Sequence, residues 1–457
     1  FQMRIKFLSV IVSFLIVSIA VSSCLDSDDN YEYSSDATVH AFGIDTIHGK
    51  HYKFSIDQLN RRIFNKDSLP VGSDTIIDRI LIDTFSVNGW ITSGSPTDTL
   101  FNMADSVNLL PAMNKNNGGM EFTIHAADGV TTRKYTLEIR VHLQDPDSLV
   151  WKEMTPFSNT AISGNQKAVT LKSQSTEELW IYTSYTTAYK TSTAPGNTRW
   201  ETVNVKLPGK AKLNSIVNFK TTNADKKETL YLVTEDNEVY RSEDGNTWQN
   251  ATELNKDVKV KAVMAAFPGI LTGIVEIEGI NYFNISKDGV NWEAERNNNG
   301  EITLAKVPDN FPMDNIYTSD FLTTNGIMQA IAVGTPRTSG EKQTLMWFSM
   351  NGSDWEEMSS TSYDAYCPEM NNPFVMHYGG LFYCFGDKLN AIYSSITGIS
   401  WQKTTKKFLL PEEFKDNTAP YSISIDENNF IWIIFGGKNT ENKVWRGRLN
   451  RLGFEEQ

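Results

Sequence analysis

The 457-residue chain carries 55 acidic and 42 basic side chains, a formal net charge of −13, and no block of Lys and Arg able to follow a phosphate backbone. That argues against nucleic acid as a partner. The length suggests two or three domains, and short β-branched or aromatic segments between Asn, Thr, Ser, Asp and Gly make the composition all-β.

Met3 is an expected translation start. Arg4 and Lys6 form a basic head, and Phe7 to Val21 is an apolar run of 15 residues. As a helix it would be about 22 Å long at roughly 1.5 Å per residue. A spanning helix needs about 20 residues, so the run fits a cleaved signal better than a retained anchor. Val21-Ser22-Ser23-Cys24 then resembles the lipobox of bacterial lipoproteins: one apolar residue, two small ones, then cysteine. The resemblance implies a signal peptide over 1–23 and a thiol on Cys24 that accepts a diacylglyceryl group. Cleavage frees the Cys24 amine for another acyl chain, and two or three chains hold a protein far more firmly than one. Loss of Arg4 and Lys6 leaves a net charge of −15. Residues 24–35, beginning Cys24-Leu25-Asp26-Ser27-Asp28-Asp29, read as a flexible acidic tether. They also resemble the surface-export signal of Bacteroidetes lipoproteins. That implies an outer-membrane lipoprotein exposed on the cell surface, a periplasm-facing one being the alternative.

Residues 36–145 alternate as strands at Asp36–Phe42 and Tyr52–Ile56, and a hairpin is expected from Gly118 to His142. The stretch Phe122-Thr123-Ile124-His125 through Arg140-Val141 resembles the closing hairpin of Ig-like or cadherin-like sandwiches on bacterial surface proteins. Asp145-Pro146-Asp147 marks the boundary with a second domain, 146–457.

That domain repeats. The clearest copies are Ser242-Glu243-Asp244-Gly245-Asn246-Thr247-Trp248 and Ser286-Lys287-Asp288-Gly289-Val290-Asn291-Trp292. Ser349-Met350-Asn351-Gly352-Ser353-Asp354-Trp355 and Ser395-Ile396-Thr397-Gly398-Ile399-Ser400-Trp401 follow, and Thr191 to Trp200 is a degenerate copy. These resemble the Asp-box, or BNR, repeat of sialidases, sortilin-like receptors and photosystem-assembly propellers. The residue types suit a hairpin turn: Gly for a positive φ, Asp or Asn to accept backbone N–H groups, and Trp to fill the gap between sheets. Metal binding or catalysis by Asp244 or Asp288 is not expected. From Trp151 the tryptophan intervals are 49, 48, 44, 63 and 46 residues, the spacing of four-stranded propeller blades. The long interval implies an insertion from Asn297 to Asp314. Leu149-Val150-Trp151-Lys152-Glu153-Met154 is an outer-strand pattern with no blade before it, while Val444-Trp445-Arg446 has too little chain after it for one. Pairing the two closes a ring of six blades, with seven the alternative. Lipobox, sandwich and Asp-box propeller together resemble a family of uncharacterised Bacteroidetes lipoproteins.

Sialidase chemistry needs three arginines around a carboxylate, a Tyr nucleophile with its Glu, an Asp acid, and a Phe/Tyr-Arg-Ile-Pro motif. The motif is missing; Gly334-Thr335-Pro336-Arg337 comes nearest, and Arg241, Arg446 and Arg448 sit beside boxes, where they are expected at the rim. Five histidines (His40, His48, His51, His125, His142) precede residue 146 and only His377 follows it. No GxSxG, HExxH or zinc-type Cys/His spacing occurs, and no cofactor or metal is expected. Cys367 and Cys384 are expected as buried thiols, a disulfide being the alternative. The expectation is a non-catalytic envelope protein presenting its propeller to a glycan or protein. Trp90, Trp180, Tyr182 and Tyr185 are the candidate ligand-binding aromatics. A glycoside hydrolase with carboxylates on propeller loops, or a scaffold subunit of an outer-membrane complex, are the alternatives.

Overall fold

The computed structural model describes Val12 and residues 32–453, except 94–98, 114–118, 163, 174, 197–198, 223–226, 252–257, 338–339, 341, 359–364, 406 and 437–441. The expected lipobox and most of the expected tether, residues 24–35, lie outside the described residues. The chain divides into two compact units, Phe1–Asp145 and Pro146–Gln457.

In the first unit a six-stranded sheet runs in the order Phe54–Asp57, Arg62–Asn65, Thr132–Glu138, Met120–Ala126, Gly89–Ser93 and Thr99–Leu100. Its Met120–Ala126 and Thr132–Glu138 strands form an antiparallel hairpin, while Arg62–Asn65 joins Thr132–Glu138 in parallel. Asp128 ties the hairpin turn by accepting the N–H groups of Val130 and Thr131 at 2.9 and 2.8 Å. Val39–Gly43 pairs with Thr84–Val87 in a second sheet. Phe85, from this pair, meets Phe42 and Phe122 edge-to-face at 5.1 and 5.2 Å, so the two sheets share one core.

The described strands of the second unit form six sheets. Sheet I holds Lys167–Ser173, Thr176–Tyr182, Thr187–Ser192 and Glu201–Asn204; sheet II holds Val217–Lys220, Glu228–Val233, Val239–Ser242 and Gln249–Asn250. Sheet III has Lys259–Phe267, Ile270–Ile277 and Ile280–Ser286. Sheet IV has Tyr317–Leu322, Met328–Val333, Trp347–Ser349 and Glu356–Glu357; sheet V has Phe374–Tyr378, Leu381–Phe385, Ile392–Ser395 and Gln402–Lys403. Sheet VI is Tyr421–Ile425, Ile431–Phe435, Val444–Leu449 and, last, Leu149–Met154 from the start of the unit. Leu149 pairs with Leu449 and Met154 with Val444, so both ends of the unit meet in one sheet. First strands touch in succession from sheet I to sheet V, that of sheet I touches that of sheet VI, and sheets V and VI share one apolar core, which makes the unit a β-propeller.

In four sheets the turn after the third strand is built the same way. Ser242 Oγ accepts the N–H of Gly245 at 3.0 Å, and Asp244 Oδ1 accepts those of Asn246 and Thr247 at 2.8 and 2.7 Å. Ser286 and Asp288 repeat this with Gly289, Val290 and Asn291, all at 2.9 Å. Ser349 and Asn351 do so with Gly352, Ser353 and Asp354, and Ser395 holds Gly398 at 2.8 Å. The four glycines have φ between 73° and 80°, where a side chain would be strained. Each glycine also packs on the preceding sheet: a Cβ on Gly289 would stand 2.2 Å from the Tyr231 hydroxyl. Trp292, Trp355 and Trp401 are buried between their own sheet and the preceding one; Trp248 takes the same place half-buried.

The long tryptophan interval falls in sheet III. After Trp292 the chain makes a small loop closed by an Arg296–Ile302 bridge. It then returns to the sheet edge, where Phe283 and Val307 donate N–H groups to Ala305 and Asn281 at 2.9 and 3.0 Å. Cys367 and Cys384 are free and buried, and hydrogen bonding to Cys367 together with burial pushes the Cys384 thiol well up. No helix among the described residues is long and apolar enough to cross a membrane.

Candidate functional site

Antiparallel hairpins alternate ends, so the Ser-X-Asp/Asn-Gly turns all lie at one end of the sheets. The links between second and third strands, and the segments leading into first strands, lie at the other. At that other end is a cavity of about 560 Å³. Sheet I contributes Thr183, Ser184 and Tyr185, from the turn between its second and third strands, and Asn165, which precedes its first. Lys212 and Asn214 come from the segment entering sheet II, Glu235 from its inner turn, and Asp314 and Asn315 from the segment entering sheet IV. Lys261 enters where a register shift between Val260 and Ala262 breaks the first strand of sheet III. A bulge of this kind turns a side chain off the regular alternation.

The two lysines differ. Lys261 is paired with Glu276 at 2.8 Å, and Glu276 also holds Lys259 at 3.2 Å; hydrogen bonds from both ammonium groups keep its carboxyl below the usual range. Among the described residues Lys212 has no acidic partner within ion-pair distance, which leaves it as the cation of the site. Beside the cavity, two residues past Asn165, Lys167 is buried with its Nζ 4.8 Å from the centre of the Tyr317 ring. Burial pushes this ammonium down to about 8. Tyr317 follows the lining residue Ile316, and its hydroxyl bonds to Ser422, whose Oγ also accepts the Ala168 N–H at 2.9 Å.

This geometry sorts the aromatic candidates. Tyr185 is 48 % exposed and lines the cavity. Trp180 and Tyr182, expected as ligand-binding residues, are instead buried at 2 % and 0 % between sheets I and II. Gly245 of sheet II sits on the Trp180 indole, and Tyr182 donates its hydroxyl to the Gly245 carbonyl at 2.7 Å. They belong to the core. Trp90 is 40 % exposed in the first unit and stacks on His125 with ring centroids 5.1 Å apart. Arg446, expected at the rim, is also buried, over Phe430 and Trp432 at 4.3 and 5.1 Å and near Asp426.

A family model described as the DUF6242 β-propeller domain matches residues 145–457, and one for the DUF6242 N-terminal domain matches 24–139. The chain belongs to the DUF6242 family. No curated protein matches it. Among solved structures it is similar to an α-L-arabinofuranosidase of Fusarium graminearum: 14% identity over 67% of this chain and 98% of that one, TM-score 0.40. It is also similar to an α-L-arabinanase of Penicillium chrysogenum, at 12% identity over 66% and 98% with TM-score 0.40. A virginiamycin B lyase of Staphylococcus aureus gives 10% identity over 66% and 99%, TM-score 0.35. Likenesses this distant carry no argument about activity.

The cavity of this DUF6242 propeller brings together amide, hydroxyl, carboxylate and ammonium groups around a partly apolar wall of Leu213, Val217 and Ile316. Among the described residues that line it there is no histidine, cysteine or arginine. His377 lies elsewhere, between the rings of Phe321 and Phe382 at 5.5 and 4.8 Å. Among the described residues no group of three or more His, Cys, Asp or Glu is placed to hold a metal. Sequence reasoning found Tyr185 and missed the rest of the lining. Those residues share no motif, only their position just before first strands or in inner turns.

Proposed function

We propose that this protein is a cell-envelope lipoprotein whose propeller binds a glycan in the cavity at the end opposite its turns. In this reading the six sheets are six blades, the repeated turns are Asp-boxes, and the first unit is an Ig-like sandwich that serves as a spacer. Cys24 carries the acyl chains and residues 24–35 are the tether at the outer surface of an outer membrane. The observation that carries the binding role is the lining itself. Tyr185 offers an exposed aromatic face, and Asn165, Asn214, Asn315, Ser184 and Glu235 offer paired donors and acceptors for hydroxyl groups. A concave, mixed lining of this size suits a small polyhydroxylated ligand.

Binding of the processed protein to a glycan array tests this directly. A Tyr185→Ala variant is expected to lose binding at unchanged melting temperature; equal array signals from both proteins refute the site. Anchoring is tested separately by Cys24→Ser, which is expected to stay unprocessed. Release of the wild type from membranes by a mild salt wash would overturn that part. A second reading rests on Glu235 and Asp314, two carboxylates in one lining. Glycoside hydrolysis uses such a pair, and loss of sugar release in both Glu235→Gln and Asp314→Asn would favour it over simple binding.

A further inference from the structure

Sheets I and VI place a cation at the same point, and among the described residues only the first is neutralised. In sheet I, Lys190 stands across from Trp180 with its Nζ 5.3 Å from the ring centre, and it pairs with Glu178 at 3.1 Å and Glu201 at 3.8 Å. Glu178 is two residues before Trp180, and Glu201 lies opposite Lys190 on the outer strand. Sheet VI, the seam where both ends of the unit meet, repeats this arrangement with other charges. Arg446 stands across from Trp432, 5.1 Å from its ring. Phe430 takes the place of Glu178, Lys152 that of Glu201, and Arg448 that of Ser192. Residues so paired share one face of a sheet.

Arg446 is 8 % exposed, yet among the described residues its guanidinium makes no hydrogen bond or ion pair, and its Nη1 is buried without a partner. Arg448 shares the Phe430 ring with it, the two guanidinium carbons lying 4.1 and 4.3 Å from the ring centre, and donates to the Asn428 carbonyl at 3.2 Å. Among the described residues neither Arg448 nor the exposed Lys152 has an acid within ion-pair distance. Asp426 acts on Arg446 from beyond that distance, and its oxygens already accept the Asn428 and Phe430 N–H groups and the Trp432 indole N–H. Three cations against this one carboxylate leave two positive charges over, in a chain of net charge −13. Burial holds the Arg446 guanidinium below its usual value, with Asp426 opposing and Arg448 adding to the effect. An uncompensated buried charge of this kind is costly until an anion joins it. On sheet I the same ground is covered by Gly245 from the next sheet, which rests on Trp180; the turn of sheet I brings no such glycine to Trp432, and a Cβ on its Gly196 would meet nothing within 4 Å.

We propose that Arg446, Arg448 and Lys152 form a binding site at the turn end of the seam, separate from the cavity at the other end, for the phosphate group of a soluble phosphate monoester. The guanidinium N–H groups donate to its oxygens, and Lys152 supplies a further charge from the exposed outer strand. A phosphate monoester carries about −1.5 to −2 at neutral pH, which matches the surplus, whereas a sulfate ester carries a single charge.

The test uses the full processed chain, with calorimetric titration and thermal unfolding at pH 7.5 and pH 5. The probes are glycerol 3-phosphate, glycerol, glycerol 3-sulfate and inorganic phosphate, with phosphatidylcholine vesicles containing phosphatidic acid as the lipid form of the same group. Glycerol 3-phosphate is expected to bind and to raise the melting temperature, more weakly at pH 5 because its second charge is lost at about pH 6; glycerol is not expected to bind. Lys152→Gln is expected to melt like the wild type without ligand and to lose about tenfold or more in affinity. Arg446→Met, which removes the unpaired buried charge, is expected to melt no lower than the wild type and to lose binding. Tyr185→Ala, at the other end, is expected to bind glycerol 3-phosphate normally. Unchanged affinity in both Lys152→Gln and Arg446→Met overturns the site, as does no binding by any probe. Glycerol 3-sulfate bound as tightly as glycerol 3-phosphate overturns the match to a doubly charged group, and inorganic phosphate bound as tightly overturns the ester. Sedimentation with the vesicles without binding of glycerol 3-phosphate overturns the soluble ligand. Binding that appears only in Glu455→Gln/Glu456→Gln also overturns it, because the chain's own carboxylates then fill the site.

Discussion

Trp292 lies in the gap between sheets II and III, 5 % exposed, against a strand that has no side chain where the indole rests. That bare position is Gly273: a Cβ there would stand 2.3 Å from Cζ3 and 2.6 Å from Cη2 of Trp292. The two residues are therefore one packing unit, and a double-mutant cycle should show it. Trp292→Ala removes a buried aromatic and is expected to cost about 3–5 kcal/mol. Gly273→Ala alone forces a methyl group into the indole and is expected to cost roughly 1–3 kcal/mol. In the double variant the clash is gone, and alanine in mid-strand regains roughly 0.5–1 kcal/mol over glycine. The double variant should then be no less stable than Trp292→Ala, a coupling of roughly 1.5–4 kcal/mol in magnitude. Urea midpoints followed by far-ultraviolet circular dichroism, a probe that survives loss of the tryptophan, measure all four corners. Costs that add to within ~0.5 kcal/mol would mean that the indole does not rest on Gly273.

Burial lowers the Lys167 ammonium from 10.5 to about 8, so between those values the folded state holds fewer protons and stability rises with pH. Lys167→Met should therefore stabilise at pH 7, with a gain that fades as pH climbs from about 8 to 10.5; a pH-independent gain would refute the assignment. Asp288 runs the other way: burial raises its carboxyl, but the N–H groups of Asn291 and Val290 and the side chains of Asn291 and Ser286 outweigh that and hold it at about 2. Its stabilising contribution is present above 3.8 and lost as pH falls toward 2, so Asp288→Ala should cost ~1 kcal/mol at neutral pH and progressively less in acid. Deleting Leu149–Met154 from the full chain strips the outer strand from Val444–Leu449, and light scattering should show association through the bared edge. A monodisperse product melting like the wild type would refute the role of that strand.

The fold class was legible because turn chemistry is local. Ser, Asp or Asn, and Gly within four residues supply nearly every hydrogen bond the turn needs, so the motif reports its own geometry. The seam was legible for a related reason: Leu149–Met154 reads as an outer strand with nothing upstream to pair with, and its partner is the last strand. Burial was harder to read. Trp180 and Tyr182 alternate along a strand as residues of an exposed face could, and only the sheet II turn lying on them makes them core. Tyr185, three residues on, is past the strand end and so reaches the cavity. Arg446 was misplaced because a box-adjacent position says nothing of the Phe430 and Trp432 rings that cover it. The cavity lining carries no local signature, since its polar residues come from the approaches to different sheets.

Where chemistry could reside also follows from how the two ends are built. Carboxylates shifted upward by burial are the usual sign of acid–base machinery, and among the described residues the propeller has two, Glu177 and Asp426. Both lie at the turn end, and both are already occupied. Glu177 Oε2 accepts the Thr193 hydroxyl at 3.0 Å and the Glu427 N–H at 2.8 Å. Asp426 accepts the N–H groups of Asn428 and Phe430 and the Trp432 indole N–H, at 2.9, 2.8 and 2.8 Å. A carboxylate spent on two or three donors of the protein itself is held in place as a structural acceptor, with little left to offer a substrate. The end that carries the most perturbed acids is thus the end least free to act. The opposite end, where Glu235 and Asp314 keep their ordinary exposure and no repeated turn fixes the backbone, is where binding has room to evolve.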